Sequence, residues 1–176
     1  MSAPVFWFTG LSGAGKTTVA RAARALLERE KLRVLVLDGD EVRARLHRDL
    51  GFSPEEIRRN NAAIAELCLS ERSSWDAVLV PIISPYADSR KRARERLSPG
   101  FYEVYFDADV RCVEARDVKG LYAKARAGQI RDLIGYSDGS PYEPPSSPDH
   151  VVRSSAESPE RSARLFADFV LRCLRG

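Results

Sequence analysis

The sequence predicts an α/β fold: a doubly wound parallel sheet of about five strands, flanked by helices, in a single domain spanning 1–176. Three observations lead there. Gly10-Leu11-Ser12-Gly13-Ala14-Gly15-Lys16-Thr17-Thr18 fits G-x-x-x-x-G-K-[ST], a loop that wraps the phosphates of a nucleoside triphosphate. The apolar run Val5-Phe6-Trp7-Phe8 precedes it and a helical pattern from Lys16 to about Glu30 follows, which supplies the strand, loop and helix the motif requires. Apolar strand-like runs then alternate with helical patterns, the signature of parallel strands joined by right-handed crossovers.

Residues 4–9 are apolar throughout, as a central strand covered on both faces should be, and 16–30 form the first helix. Arg33 to Leu37 gives a second buried strand ending at Asp38-Gly39-Asp40, two carboxylates at the end of a parallel strand where open α/β sheets bind ligands. Residues 41–50 read as helix and Gly51-Phe52-Ser53-Pro54 breaks it. Ser53 as N-cap, Pro54 at the first helical position and Glu56 at the capping-box position start a helix over 54–72, with Ile57, Ile64, Leu67 and Cys68 as its apolar stripe. A third strand over 77–83 leads into Ser84-Pro85-Tyr86, the basic segment 87–97 is helical, 101–106 is a fourth strand and 110–116 a short helix.

After that the pattern loosens. Residues 116–149 carry Arg116, Lys119, Lys124, Arg126 and Arg131 with Gly120, Gly128 and Gly135, and read as a mobile cationic lid; a solvated surface loop is the plainer alternative. Residues 150–152 form a short fifth strand, and a closing helix from Ser158 turns Leu165, Phe166, Phe169, Val170 and Leu174 inward.

Composition narrows the function. With 176 residues and a net charge of +3, basic and acidic residues are interleaved apart from Arg90-Lys91-Arg92-Ala93-Arg94-Glu95-Arg96, a solvated helix face rather than a nucleic-acid footprint. Cys68, Cys112 and Cys173 are odd in number and set in apolar patterns, so they read as buried thiols of a reducing compartment. No secretory leader or membrane-length apolar run is evident, which points to the cytoplasm and to no membrane partner.

Phosphoryl transfer is mostly positioning and charge neutralisation, and the chain supplies what it needs. Backbone N–H groups of residues 12–17 cradle phosphate at a helix N-terminus, Lys16 reaches the β- and γ-phosphates, and the Thr17 hydroxyl ligates Mg²⁺. Asp38 is placed to hold Mg²⁺ directly or through water, and Asp40 to accept a proton from an acceptor hydroxyl or orient it. Either aspartate alone has a second explanation, capping the helix that starts near Glu41. No N-K-x-D motif is present, which disfavours a GTPase switch and points to a small-molecule kinase.

These residues resemble the adenylylsulfate kinase family, ATP- and Mg²⁺-dependent enzymes that phosphorylate the 3′-hydroxyl of adenosine 5′-phosphosulfate. The resemblance runs through F-T-G-L-S-G-A-G-K-T-T (8–18), L-D-G-D-E-V-R (37–43), D-L-G-F-S (49–53), I-S-P-Y (83–86), E-V-Y (103–105), R-D-V-K-G-L-Y-A-K-A-R (116–126) and Y-E-P-P (142–145). It covers nearly the whole chain. R-D-V-K-G-L-Y has no general structural reason to exist, which makes it the most telling of these stretches. The resemblance implies that Gly10, Ser12, Gly13, Ala14, Gly15, Lys16, Thr17, Thr18 and Arg116 bind ATP. It further implies that Asp40, Arg43 and Phe52 meet the acceptor nucleotide, Ile83 and Ser84 line its pocket, and Lys119 belongs to the lid over the phosphates. Ser84 stands at the family's phosphoserine position, among the candidate catalytic residues Lys16, Asp38, Asp40 and Ser84; lining the pocket is the favoured role. A homodimer and a functional link to an ATP sulfurylase are also implied.

The chain departs from the family's D-R-x-x-N-I-R-R. Without a gap Ile57 replaces the first arginine and Asn60 keeps the asparagine; a slip of one residue pairs Arg58 with Asn61 instead. Helix geometry favours the first register, because Arg58 lies about 100° away from Ile57. In the lid the family's F-T-G is Leu133-Ile134-Gly135, and Leu133 would lose an aromatic face against the acceptor base. These changes bear on acceptor identity, so two alternatives stand beside an adenylylsulfate kinase: a 3′-hydroxyl kinase of another nucleotide, such as cytidine diphosphoramidate, and a nucleotide-binding regulatory protein without turnover.

Overall fold

The computed structural model describes residues 2–46 and 51–175. Strands β1 (Val5–Thr9), β2 (Val34–Val36), β3 (Ala77–Val80), β4 (Phe101–Asp107) and β5 (His150–Arg153) form one parallel sheet in the order β2-β3-β1-β4-β5. Helices α1 (Lys16–Arg29), α2 (Gly39–Leu46), α3 (Pro54–Glu71), α4 (Ala87–Leu97), α5 (Val110–Arg116), α6 (Leu121–Arg126) and α7 (Pro159–Arg175) connect and cover it. Alternation along β1 decides which core each residue enters. Phe6 and Phe8 face α1 and α7, where Phe166 packs edge-on to both rings at 5.7 and 5.1 Å. Val5 and Trp7 face the opposite layer, with Ile64 and Cys68 of α3 and Ala93 and Leu97 of α4. No described helix is long and apolar enough to cross a membrane.

Several boundaries differ from the sequence expectation for local reasons. β3 stops at Val80 rather than running to 83, because Pro81 has no N–H to give the ladder. α2 begins at Gly39 rather than Glu41, since the Asp38 carboxylate accepts from the Asp40 N–H and caps the helix; the predicted residues 47–50 lie outside the described ones. Ser53 and Glu56 form the expected capping box. Leu165, expected inward, is 40% exposed, because it sits one position before the α7 stripe of Ser162, Ala163, Phe166, Ala167 and Val170.

The segment 116–149 contains α6, which the loosened apolar pattern concealed. R-D-V-K-G-L-Y builds that helix and thus has a structural reason after all. Gly120 takes the left-handed N-cap conformation, and the Asp117 carboxylate accepts from the N–H groups of Tyr122 and Ala123.

Candidate active site

The phosphate loop leaves β1 at Thr9 and enters α1 at Lys16. Gly10 is required there by space, since a Cβ would stand 2.8 Å from the Phe106 Cβ, and Gly15 by its φ of 86° at the head of α1. Ala14 is buried in the core beneath the loop. The Lys16 ammonium folds onto the loop and donates to the Gly10 and Leu11 carbonyls at 2.8 and 2.6 Å. Burial, and then the nearby Lys119, push Lys16 down to about 7, while Asp40 and Asp38 pull it upward. The Thr17 hydroxyl donates to Asp38 Oδ2 at 2.9 Å, and Asp38 Oδ1 accepts from the Asp40 N–H at 3.0 Å. Asp38 therefore caps α2 and faces Thr17 at once, so both readings of that residue describe the same carboxylate.

One cleft, with a volume of about 240 Å³, joins this loop to the ends of β2 and β3. Ser12, Gly13, Gly15, Lys16, Thr17 and Thr18 line its phosphate side, and Asp38, Asp40, Arg43, Phe52, Asn60, Asn61, Ile83 and Ser84 line the rest. From across the cleft Lys119 pairs with the exposed Asp40 carboxylate at 2.5 Å. The Arg43 guanidinium lies 4.2 Å over the Phe52 ring and donates to the Gly51 carbonyl, which holds this exposed aromatic at the rim.

Ser84 is buried with a φ of 42°, a conformation a non-glycine residue keeps only when its surroundings impose it. Its Oγ accepts from Trp7 Nε1 at 2.9 Å and from Asn61 Nδ2 at 3.1 Å. Its carbonyl accepts from the Thr9 hydroxyl at 3.0 Å and from Arg90 at 2.8 Å.

Three candidates outside the phosphate loop sit away from the cleft. Arg58 turns out of the cleft, pairs with Asp88 at 2.9 Å and lies 4.5 Å over the Tyr86 ring, whereas Ile57 takes the cleft-facing position. Leu133 is buried in the α1–α7 core, and Ile134 lines the cleft in its place, packed with Ile57 and Tyr86. Arg116 donates to the Ser154 carbonyl beyond β5 and does not line the cleft.

Sequence reasoning missed four residues that organise the site. The Tyr122 hydroxyl donates to the Ser12 carbonyl at 2.9 Å, and its burial raises the phenol to about 12. Thr9 and Tyr142 share a 2.8 Å hydrogen bond, and Arg90 reaches the Ser84 turn. The position of Tyr122 in R-D-V-K-G-L-Y and of Tyr142 in Y-E-P-P was the available signal; Thr9 meets residues more than 70 positions away, and Arg90 lies in a run of charges that reads as a surface face.

The adenylylsulphate kinase family profile matches residues 2–153. The adenylyl-sulfate kinase of Halothermothrix orenii is 47% identical over 168 residues, covering 93% of this chain and 87% of that one. The bifunctional enzyme CysN/CysC of Xylella fastidiosa is 46% identical over 160 residues, 90% of this chain but 25% of that protein. The solved structure of the Mycobacterium tuberculosis APS kinase CysC in complex with AMPPNP and APS superposes with a TM-score of 0.88 at 36% identity, covering 97% of this chain and 98% of that one.

Proposed function

The chain belongs to the adenylylsulphate kinase family, and we propose that it transfers the γ-phosphoryl group of ATP to the 3′-hydroxyl of adenosine 5′-phosphosulfate, giving 3′-phosphoadenylyl sulfate and ADP. One observation carries this reading: Lys16, the Thr17–Asp38 pair and Asp40 converge with the Ser84 turn in a single cleft.

In this reading the loop amides and Lys16 bind the β- and γ-phosphates. Thr17 Oγ1 and Asp38 Oδ2 are hard oxygen donors 2.9 Å apart at the cleft wall, and such a set suits Mg²⁺. When bound, the ion neutralises charge on the β- and γ-phosphates. Asp40 orients the acceptor hydroxyl and takes its proton as the new O–P bond forms and the β–γ bridge breaks to release ADP. Phe52 offers one apolar face to the acceptor base, and Ile57, Ile134 and Ile83 form the wall behind it. Arg43 and Lys119 are the cations on the acceptor side, and Ser84 lines the pocket with its oxygen already engaged. Residues 116–149 act as the lid, with Tyr122 and Lys119 as the contacts that close it on the loop and on Asp40. A homodimer and a functional link to an ATP sulfurylase complete the proposal; size-exclusion chromatography with light scattering tests the first.

The deciding experiment measures ADP release from ATP and Mg²⁺ with adenosine 5′-phosphosulfate against a panel of cytidine, uridine and adenosine diphosphate-type acceptors. Preference for adenosine 5′-phosphosulfate supports the reading. Preference for a pyrimidine nucleotide overturns it and makes Ile57 the mark of a changed acceptor on a retained kinase scaffold.

A further inference from the structure

The basic segment 87–97 reads from sequence as a solvated face, but Arg90 does not belong to it: its side chain is 3% exposed and each of its three nitrogens donates inward. Nε donates to Glu103 Oε1 at 2.6 Å on β4, NH1 to the Ser84 carbonyl at 2.8 Å, and NH2 to the Glu143 carbonyl at 2.7 Å. One rigid fork thus joins the sheet, the strained turn in the cleft wall and the C-terminal root of the lid.

The surroundings repeat the connection. The Glu143 N–H donates to the Pro85 carbonyl at 2.9 Å, and its carboxylate accepts from the Ala87 N–H at 2.6 Å, at the head of α4. The Tyr142 hydroxyl meets Thr9 Oγ1, which itself donates to the Ser84 carbonyl. The lid root and the Ser84 turn are therefore fixed to one another at both ends of a four-residue stretch, and Ser84 Oγ passes the constraint on to Asn61 of α3.

We propose that Arg90 is a positioning residue that holds the Ser84 turn and the Tyr142-Glu143 lid root in one arrangement, so that lid closure and the acceptor pocket form together. Arg90 touches no substrate in this arrangement; it acts through Ser84, Asn61 and the lid. The inference rests on the proposed kinase reading for its kinetic consequence, but its structural content does not.

A lysine at this position keeps the charge against Glu103 and loses the fork. Arg90→Lys is expected to raise the KM for the acceptor about tenfold while the KM for ATP stays within about twofold, because two of three buried charged hydrogen bonds are lost on the acceptor side alone. Hydrogen exchange is expected to accelerate at the Glu143 and Ala87 amides and to stay unchanged in β1 and α1. A third readout is the emission of Trp7, which is hydrogen-bonded to Ser84 Oγ, followed in a Trp75→Phe background that leaves it as the only tryptophan of the two. Its spectrum should shift in Arg90→Lys. Where Arg90→Lys folds poorly, the paired variant Arg90→Met/Glu103→Met removes both charges together and is expected to give the same exchange pattern.

Parallel increases in both KM values, or exchange rising evenly with the loss of melting temperature, would reduce Arg90 to a general stabiliser and overturn the proposal. So would fast exchange of the Glu143 and Ala87 amides in the unmodified protein. If adenosine 5′-phosphosulfate is no substrate at all, the kinase reading fails, while the exchange and fluorescence results still decide the role of Arg90.

Discussion

Leu133→Phe tests which residue of the lid faces the acceptor base. Family resemblance aligns Leu133 with a base-stacking phenylalanine and predicts that restoring the ring tightens acceptor binding. The structure buries Leu133 to 7% exposure in the α1–α7 core and turns Ile134 to the cleft. A ring forced into that core overpacks it, which costs about 1–3 kcal/mol. For a domain of this length each kcal/mol lowers Tm by about 2–4 °C, so a loss of roughly 2–12 °C is expected, with the acceptor KM unchanged or higher. Ile134→Ala is the counterpart. It removes apolar contact with the base worth about 1 kcal/mol, a roughly fivefold rise in acceptor KM, and opens a gap beside Ile57 and Tyr86. Both variants are read by initial rates with each substrate varied in turn, alongside thermal unfolding. A lower acceptor KM in Leu133→Phe with Tm unchanged would refute this reasoning and put residue 133 on the base.

Lys16→Ala should reduce turnover by about 10³-fold or more in the same assay, since it removes the one ammonium placed in the phosphate loop; near-normal rates would remove the loop from the chemistry. Asp40→Asn should lower kcat by about 10²–10⁴-fold with ATP affinity retained in calorimetry, because its exposed pairing with Lys119 contributes little to stability. Lost ATP binding instead would make Asp40 a donor-site residue. With Lys16 at about 7 in the folded chain against 10.5 when exposed, the unfolded chain holds more protons between those values, so stability without nucleotide should rise with pH across that window. ATP phosphates restore the proton, so calorimetry at pH 8 in buffers of different ionisation enthalpy should register proton uptake that Lys16→Met abolishes. Ser53→Ala, which breaks the capping box of α3, should cost about 1 kcal/mol by thermal unfolding; an unchanged Tm would mean that Pro54 and packing alone set the helix start.

What could be read from sequence was what physics makes local. The phosphate loop, the five apolar strands and the Ser53–Glu56 cap each depend on residues within a few positions of one another. That Ile57 and Arg58 cannot share a face was also legible, since a helix turns about 100° per residue; the cleft takes Ile57. Features set by distant partners were not legible. Arg58 leaves the cleft because Asp88 and Tyr86 of another element receive it, and α6 escaped notice because Gly120 and Asp117 start it instead of an apolar stripe. Arg90 hid in a run of surface charges because nothing in Arg90-Lys91-Arg92 distinguishes the one side chain that points inward.

Strand β1 explains why donor and acceptor groups keep a fixed relation in so small a cleft. Its end delivers the phosphate loop, and its side chains hold the acceptor wall: Trp7 bonds the Ser84 hydroxyl oxygen and Thr9 the Ser84 carbonyl. Since β1 is the central strand, hydrogen-bonded on both sides to β3 and β4 and covered on both faces, it is the least deformable element available to carry that relation. On the other flank the Thr17–Asp38 contact ties α1 to the end of β2. The phosphate loop is therefore braced against both acceptor-side strands, and the most exposed apolar residues lie beyond the bracing: Phe52 at the rim, 56% exposed, and Val118, 83% exposed. An in-line transfer needs its reacting groups held and its entrance open in turn, and this division of rigid floor from exposed rim follows from which residues of the sheet face the site.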